Sequence, residues 1–382
     1  IQRRENGLAL GTFGRGFYIL DDYTPLRMIS EEALGQDAIL FPVKNTWLYL
    51  EEARLGLPKN GFLGHRRFFA PNPPFGATVT YYLKESSKTR KDQRREAEKK
   101  TAEEGGTLKY PAWEDLRKED REEAPTVIVT ISDEDGNVVR RIEAPAEEGI
   151  NRVTWDLRYP ATTPTQLGRR NTDNPFFSGP MGPLAARGRC AASMARVVDG
   201  VSTPLGAPQS FEVVPLGNAT LAAKDRDALL AFQKKTARLL RARPGARRTS
   251  GEAAERIQHL KQALHDTPGA DPALRQRARE LELRLADLGL ELEGDDTVAR
   301  RNEPTPPAIL DRVQAAAFGT YGATSAPTTT HRQAYELAAR DFGPWLEKLR
   351  TLVEVDLEKL EDDAEKAGAP WTPGRVPTWK PE

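Results

Sequence analysis

The period of the apolar positions changes along the chain. Up to about residue 215 they recur at every second residue in short runs, and from Leu221 onward at three and four. The clearest alternating stretch is Thr126 to Pro160. Val127, Val129 and Ile131 alternate with Ile128 and Thr130, Asp135-Gly136-Asn137 turns the chain, and Val138 to Ile142 returns, which predicts a β-hairpin. After a Pro/Glu/Gly loop, Val153, Trp155 and Leu157 alternate with Arg152, Thr154 and Asp156, predicting a third strand with one apolar and one wet face. Ala77 to Lys84 adds a strand with Val79, Tyr81 and Leu83 on one side, and Gln209 to Val214 a last one closed by Pro215. A half-wet sheet carrying a tryptophan needs a second sheet to cover it, so the expected core is a β-sandwich.

The second half predicts amphipathic helices. One runs near Leu221 to Arg243, with Leu229, Leu230, Phe232, Thr236, Leu239 and Leu240, and ends at Pro244-Gly245. A second, near Gly251 to His265, carries Ile257, Leu260 and Leu264. A third starts with Asp271 as cap and Pro272 at its first position, with the stripe Leu274, Leu281, Leu285 and Leu288. Three prolines, Pro304, Pro306 and Pro307, precede a short helix from Ile309 to Phe318. The last helix opens on a capping box at Thr330 and Gln333 and shows Phe342, Trp345, Leu349, Leu352 and Leu360 through about Lys366. One-sided stripes predict an antiparallel bundle. The proline-rich tail, 368–382, is expected to lie across a surface.

The start of the chain reads differently. Leu8, Leu10, Phe17 and Ile19 flank Gly11, Gly14 and Gly16. A dinucleotide loop needs a helix after its glycines, and a β-type run follows here, so a glycine-bent strand pair is expected, stopped by Asp21, Asp22, Pro25 and Arg27. A short helix follows Ser30. The aromatics Trp47, Tyr49, Phe62, Phe68, Phe69 and Phe75 are expected to staple a linker onto a neighbouring domain, and His65-Arg66-Arg67 to form a solvated turn. Between Lys84 and Glu123 stand twelve basic and twelve acidic residues with little to bury, which predicts an exposed, partly helical excursion. Acids interleave with the bases of Lys88 to Lys100, which argues against nucleic acid.

At 382 residues the chain should hold two or three domains. Lys+Arg and Asp+Glu are 56 each, so no global field draws in a polyanion. The single cysteine, Cys190, excludes an internal disulfide and a thiolate zinc cluster, and is expected to be buried and inert. There is no run of about eighteen apolar residues to span a membrane. Ile1 stands where a start methionine would, and the chain is expected to begin mid-protein.

Candidate chemistry is thin. His65, His259, His265 and His331 give no metal spacing, and no nucleophile elbow or Walker loop occurs. Asp133, Asp135 and Asn137 share the first spacings of a calcium loop, but Val138 stands where its glycine belongs, so a hairpin turn is expected. Among the carboxylates, Asp21, Asp22 and Asp156 included, Asp21-Asp22 is the least ordinary pair, read as strand termination with hydrogen bonding to the next turn. Asn218-Ala219-Thr220 is a formal glycosylation sequon. No catalytic, cofactor-binding or metal residue is assigned.

GTFGRGFYILDDYTPLR, residues 11–27, resembles the closing segment of bacterial sortilin-type β-propeller proteins, often labelled BNR-repeat glycosyl hydrolases. Phe13 stands where many relatives carry histidine. Residues 77–215, with Asp135-Gly136, Val139-Arg140 and Thr154-Trp155-Asp156, also resemble the immunoglobulin-like domain of flagellar hook-capping proteins. GPLAA (182–186), Val198-Asp199-Gly200, ARRNEPTPP (299–307), TSAPT (324–328) and GAPWTPGRVP (368–377) extend the likeness to the whole chain. The resemblance implies a multidomain β-plus-α protein. Residues 1–22 would be the last strands of a propeller, 23–76 a packed linker, and 77–215 an immunoglobulin-like sandwich with a charged insertion at 85–124. A helical bundle over 216–367 and the tail would follow.

Its implied function is a non-catalytic scaffold or interaction region of an exported, periplasmic or extracellular bacterial protein. Its partners would be the propeller of the same polypeptide and proteins held by the insertion, bundle or tail, with no nucleic acid. Two alternatives remain: part of a glycoside hydrolase whose active site lies in the propeller, and a subunit of a larger assembly.

Overall fold

A computed structural model describes residues 1–3, 5–14, 16–51, 72–162, 181–217 and 224–377. The chain divides into two compact units, one built from Ile1–Pro160 and Leu184–Ala219, the other containing Thr220–Glu382. It is mixed in class, with sheets first and a helical C-terminal region.

In the first unit β1 (Leu8–Thr12) and β2 (Gly16–Leu20) pair with each other in a two-stranded antiparallel sheet of their own. Ser30 Oγ caps the short α1 (Glu31–Leu34) by accepting from Ala33 N at 3.1 Å. The strands β3 (Ala38–Leu40), β4 (Thr46–Leu48) and β5 (Ala77–Leu83) follow. The charged insertion forms α2 (Arg90–Glu103) and α3 (Trp113–Arg121). Then come β6 (Thr126–Asp133), β7 (Val138–Ala144), β8 (Gly149–Trp155), β9 (Gly188–Val198) and β10 (Val201–Pro215). They make a five-stranded sheet in the order β4-β10-β9-β6-β7 and a three-stranded sheet in the order β3-β5-β8.

Two sequence expectations need correction here. The Trp155 strand does not extend the β6–β7 hairpin. It crosses to the other sheet and pairs with β5, because the apolar sides of β6 and β8 must both face one interior. The stretch read as a linker contributes β3 to one sheet and β4, in parallel pairing with β10, to the other. The β9 strand forms although Cys190 to Met194 carries no β-branched residue. It lies between β6 and β10, whose hydrogen bonds and packing outweigh its own weak propensity.

The two sheets share a core of Val79, Tyr81, Leu83, Val127, Val129, Ile131, Trp155, Leu157, Ala192, Met194 and Phe211, among others. Each fully buried large side chain is worth about 1.5–3 kcal/mol over an exposed one. Trp155 is the hub. Its ring meets Phe211 of the facing sheet edge-on at 6.3 Å, and its Nε1 donates to Arg158 O at 2.9 Å. Gly76 makes the close approach possible, since a Cβ there would lie 1.8 Å from the Trp155 carbonyl oxygen.

In the second unit α4 runs unbroken from Arg226 to Asp266, through Pro244, where sequence predicts a stop. An interior proline removes one helix bond and crowds the carbonyl four residues back, a cost of about 3 kcal/mol. The apolar stripe continues on both sides of the proline, from Ala237 and Leu240 to Ala246, Ala253 and Ile257, so packing carries the helix across. Asp271 and Pro272 open α5 (Pro272–Glu293) as predicted, and Asp295 caps the four-residue α6 (Asp296–Ala299). Ile309–Tyr321 forms α7. The next helix, α8 (Thr329–Thr351), begins two residues earlier than expected. Thr328 is the cap, its Oγ1 accepting from His331 N while His331 Nδ1 accepts from Thr328 N. A wider π-type stretch, Leu352–Leu357, joins it to α9 (Glu358–Lys366). Arg247 with Glu293 and Lys261 with Glu282 set α5 antiparallel to α4. Glu291 with Lys348, Arg284 with Asp356 and Arg277 with Asp363 set the last helical run antiparallel to α5.

Candidate functional site

The chemistry the sequence offers is mostly spent on structure. Asp22 Oδ1 accepts from Thr24 N at 2.9 Å, the turn bond expected of a strand stop. Asp133 Oδ1 accepts from the backbone N–H of Asp135 and Asn137, at 3.2 and 2.8 Å, and Gly136 takes φ +83°, so this loop is a hairpin turn. Asp156 Oδ1 accepts from Arg158 N at 3.2 Å. Cys190 is buried, and burial, with Asp133 and Glu134 adding to it, pushes its thiol up to about 11, which removes the thiolate nucleophile at neutral pH. No group of three or more His, Cys, Asp or Glu among the described residues is arranged to hold a metal. No helix among them is long and apolar enough to cross a membrane. Of the aromatics, Tyr49 meets Phe75 edge-on at 4.9 Å and Trp47 is 39% exposed. Phe62, Phe68, Phe69, His65, Arg66, Arg67 and the sequon lie outside the described residues.

What remains unaccounted for by the fold is the N-terminal hairpin. In its register Leu10 opposes Tyr18 on one face, and Ala9 opposes Ile19 and Gly11 opposes Phe17 on the other. Both faces are therefore apolar, yet Leu10 is 50%, Phe17 88%, Tyr18 56% and Ile19 69% exposed. Strands with apolar side chains on both faces belong to sheets covered on both sides. A lone two-stranded hairpin is marginal in water, and among the described residues neither strand of this one pairs with a strand of the two larger sheets.

Its base, in contrast, is tied down. Tyr23 N donates to Asn6 O at 3.0 Å and Asn6 Nδ2 to Thr24 Oγ1 at 2.9 Å. Lys44 Nζ donates to the Glu5 carboxylate at 2.5 Å and to Glu5 O at 3.0 Å, and Arg152 Nη2, on β8, donates to Asp22 O at 2.9 Å. The sandwich thus holds the two ends of the hairpin while its strands stay open. Sequence reading found the hairpin through its glycines and its apolar alternation. It missed Glu5, Asn6, Lys44 and Arg152, since scattered single polar residues show no pattern until folding brings them together.

The tail expected to lie across a surface does so as far as Pro377. Arg375 Nη1 donates to Glu361 O and to the Glu365 carboxylate, at 2.9 and 2.8 Å, and Trp371 Nε1 to Arg375 O at 2.9 Å. Beside it a cleft of about 310 Å³ includes Thr249, Glu252, His259, Val353 and Pro373.

No family model, curated protein or solved structure matches this chain.

Proposed function

We propose that the chain is the C-terminal scaffold and interaction region of a larger exported β-propeller protein, and that it carries no catalytic role of its own. The observation behind this reading is the β1–β2 hairpin, apolar on both faces, exposed on both, and hydrogen-bonded at its base. Such an element is completed by a sheet that adds strands at its edge and by layers that cover its faces. The closing strands of a propeller meet both requirements, and residues 11–27 resemble that segment. On the same reading the two facing sheets are the immunoglobulin-like module that sets the propeller's angle to the rest of the chain, and the tail and helices offer surfaces to protein partners.

Amide exchange on the longest natural polypeptide that contains these residues tests it. Leu8 to Leu20 should exchange as slowly as β5 and β6 there, and fast in the 382-residue chain alone. Equal, fast exchange of the hairpin in both would sink the proposal.

A further inference from the structure

We infer that the α2–α3 insertion is a latched arm, a helical hairpin held on the β9–β10 turn by charged contacts and freed when those contacts are screened or removed. This rests on the insertion alone and does not depend on the reading of the N-terminal hairpin.

The latch starts at the first residue of α2. Arg90 N donates to Glu122 Oε2 at 2.6 Å, Arg90 Nε lies 3.7 Å from Glu122 Oε1, and Arg90 Nη2 donates to Asp199 Oδ2 at 3.4 Å. Asp199 Oδ1 accepts in turn from Glu123 N at 3.0 Å. Asp199 sits at the turn between β9 and β10 with φ +48°, so one carboxylate gathers both ends of the arm onto the sheet. Within the arm, Arg94 joins the two helices: its Nε and Nη2 donate to the two Glu119 oxygens at 2.7 and 2.9 Å, and its Nη1 to Glu98 at 2.7 Å. Glu119 and Glu122 have side chains only 7% and 4% exposed, so these carboxylates are covered by the guanidinium groups they bind.

Nothing apolar backs this up. Neither helix buries a residue, and no residue of the insertion belongs to the sandwich core. Of its larger apolar side chains, Leu108, Tyr110 and Trp113 in and beside the α2–α3 loop are 53%, 74% and 68% exposed, and Leu116 on α3 is half-buried. At the root, Lys84 N donates to Asp37 O at 3.0 Å and Ser87 N to Ala146 O at 3.2 Å, which ties the chain to the strands just before α2. The Arg90–Asp199 pair that joins the arm to the turn is exposed, at 52% and 37%. Such a pair contributes little singly and weakens with salt, as the screening length falls from about 10 Å at 0.1 M to about 3 Å at 1 M, whereas the covered Arg94–Glu119 pair inside the arm is screened less. A strand in the core has apolar burial to fall back on when salt rises, and the arm does not. With the arm docked, arm and turn together wall an open cleft of about 400 Å³ that includes Arg90, Arg121, Glu122 and Asp199, which release would take apart.

Amide exchange followed by mass spectrometry on the full chain, at 50 mM and 1 M NaCl, tests the latch. Peptides covering 90–123 should exchange roughly ten-fold faster at 1 M while β6 is unchanged. Asp199→Asn should reproduce that increase at 50 mM and should speed the 197–203 turn together with the end of α3. Arg94→Gln should loosen the two helices and leave the turn protected. Arm exchange indifferent to both salt and Asp199→Asn overturns the inference, and so does acceleration of β6 in step with the arm, which would report global unfolding.

Discussion

Among the described residues of the helical unit, Arg256 on α4 and Glu361 on α9 form the most deeply buried ion pair. Nε and Nη2 of the guanidinium meet the two carboxylate oxygens at 3.0 and 2.7 Å, and the side chains are 18% and 1% exposed. Glu361 raises the Arg256 pKa further by accepting its hydrogen bonds. The tail covers the pair: Gly374 lies so close that a Cβ there would stand 2.8 Å from Arg256 Nε, and Arg375 donates to the backbone oxygen of Glu361. Two opposed terms decide what Arg256→Ala does. Losing the attraction of an exposed pair would cost at most about 1 kcal/mol. Leaving a carboxylate buried without its cation costs about 3–5 kcal/mol, and the near-complete burial of Glu361 puts this pair in the second class.

Urea unfolding followed at 222 nm, where the helices dominate, should therefore show Arg256→Ala losing about 3–5 kcal/mol. The double variant Arg256→Met, Glu361→Leu should return to within about 1 kcal/mol of wild type, because the desolvation penalty goes with the charges. Lys348→Ala, which breaks a pair at 56% and 47% exposure, is the control and should cost under about 1 kcal/mol. A loss under about 1 kcal/mol for Arg256→Ala, or a double variant as unstable as the single, would refute the reasoning.

Three further outcomes are expected. Trp155→Ala removes a fully buried ring together with its bond to Arg158 O, and should cost about 3–5 kcal/mol and abolish most tertiary near-ultraviolet signal from the sandwich. Gly76→Ala places a Cβ against the Trp155 carbonyl at φ +123°, so the Ala77–Trp155 end of the β5–β8 ladder must separate. Amide exchange at Ala77 to Val79 should rise sharply, and unchanged protection there would contradict the packing. Cys190 should stay unmodified by a thiol reagent at pH 8 in the folded chain and react once urea unfolds it. Its raised pKa means that the folded state holds the thiol proton more tightly. Stability is thus complete below pH 9 and falls as pH rises toward about 11, with Tyr81, pushed up to about 12 by burial and by Glu147, adding to the loss above pH 10. Alkaline titration of the unfolding midpoint checks the sign.

Local sequence was enough wherever one rule decided the outcome. Period-two alternation placed β5, β6, β7 and β8, and the Asp271-Pro272 and Ser30 signals opened their helices where the structure has them. The charged excursion followed from having nothing to bury, and the refusal of a nucleotide loop followed from the strand after the glycines.

Tertiary structure decided the rest, in each case because the deciding partner is distant in sequence. The helix passes Pro244 because α5 and α7 pack along α4 on both sides of it, and the poor β-former around Cys190 becomes a central strand because β6 and β10 flank it. Trp155 changes sheets to meet Phe211, 56 positions away by number. The anchors of the hairpin and the latch of the insertion are single polar residues, Lys44, Arg152 and Asp199, each joined to a partner tens of residues away. One-dimensional pattern records which faces are apolar. Which face covers which, and which charge neutralises which, is fixed only when the chain closes on itself.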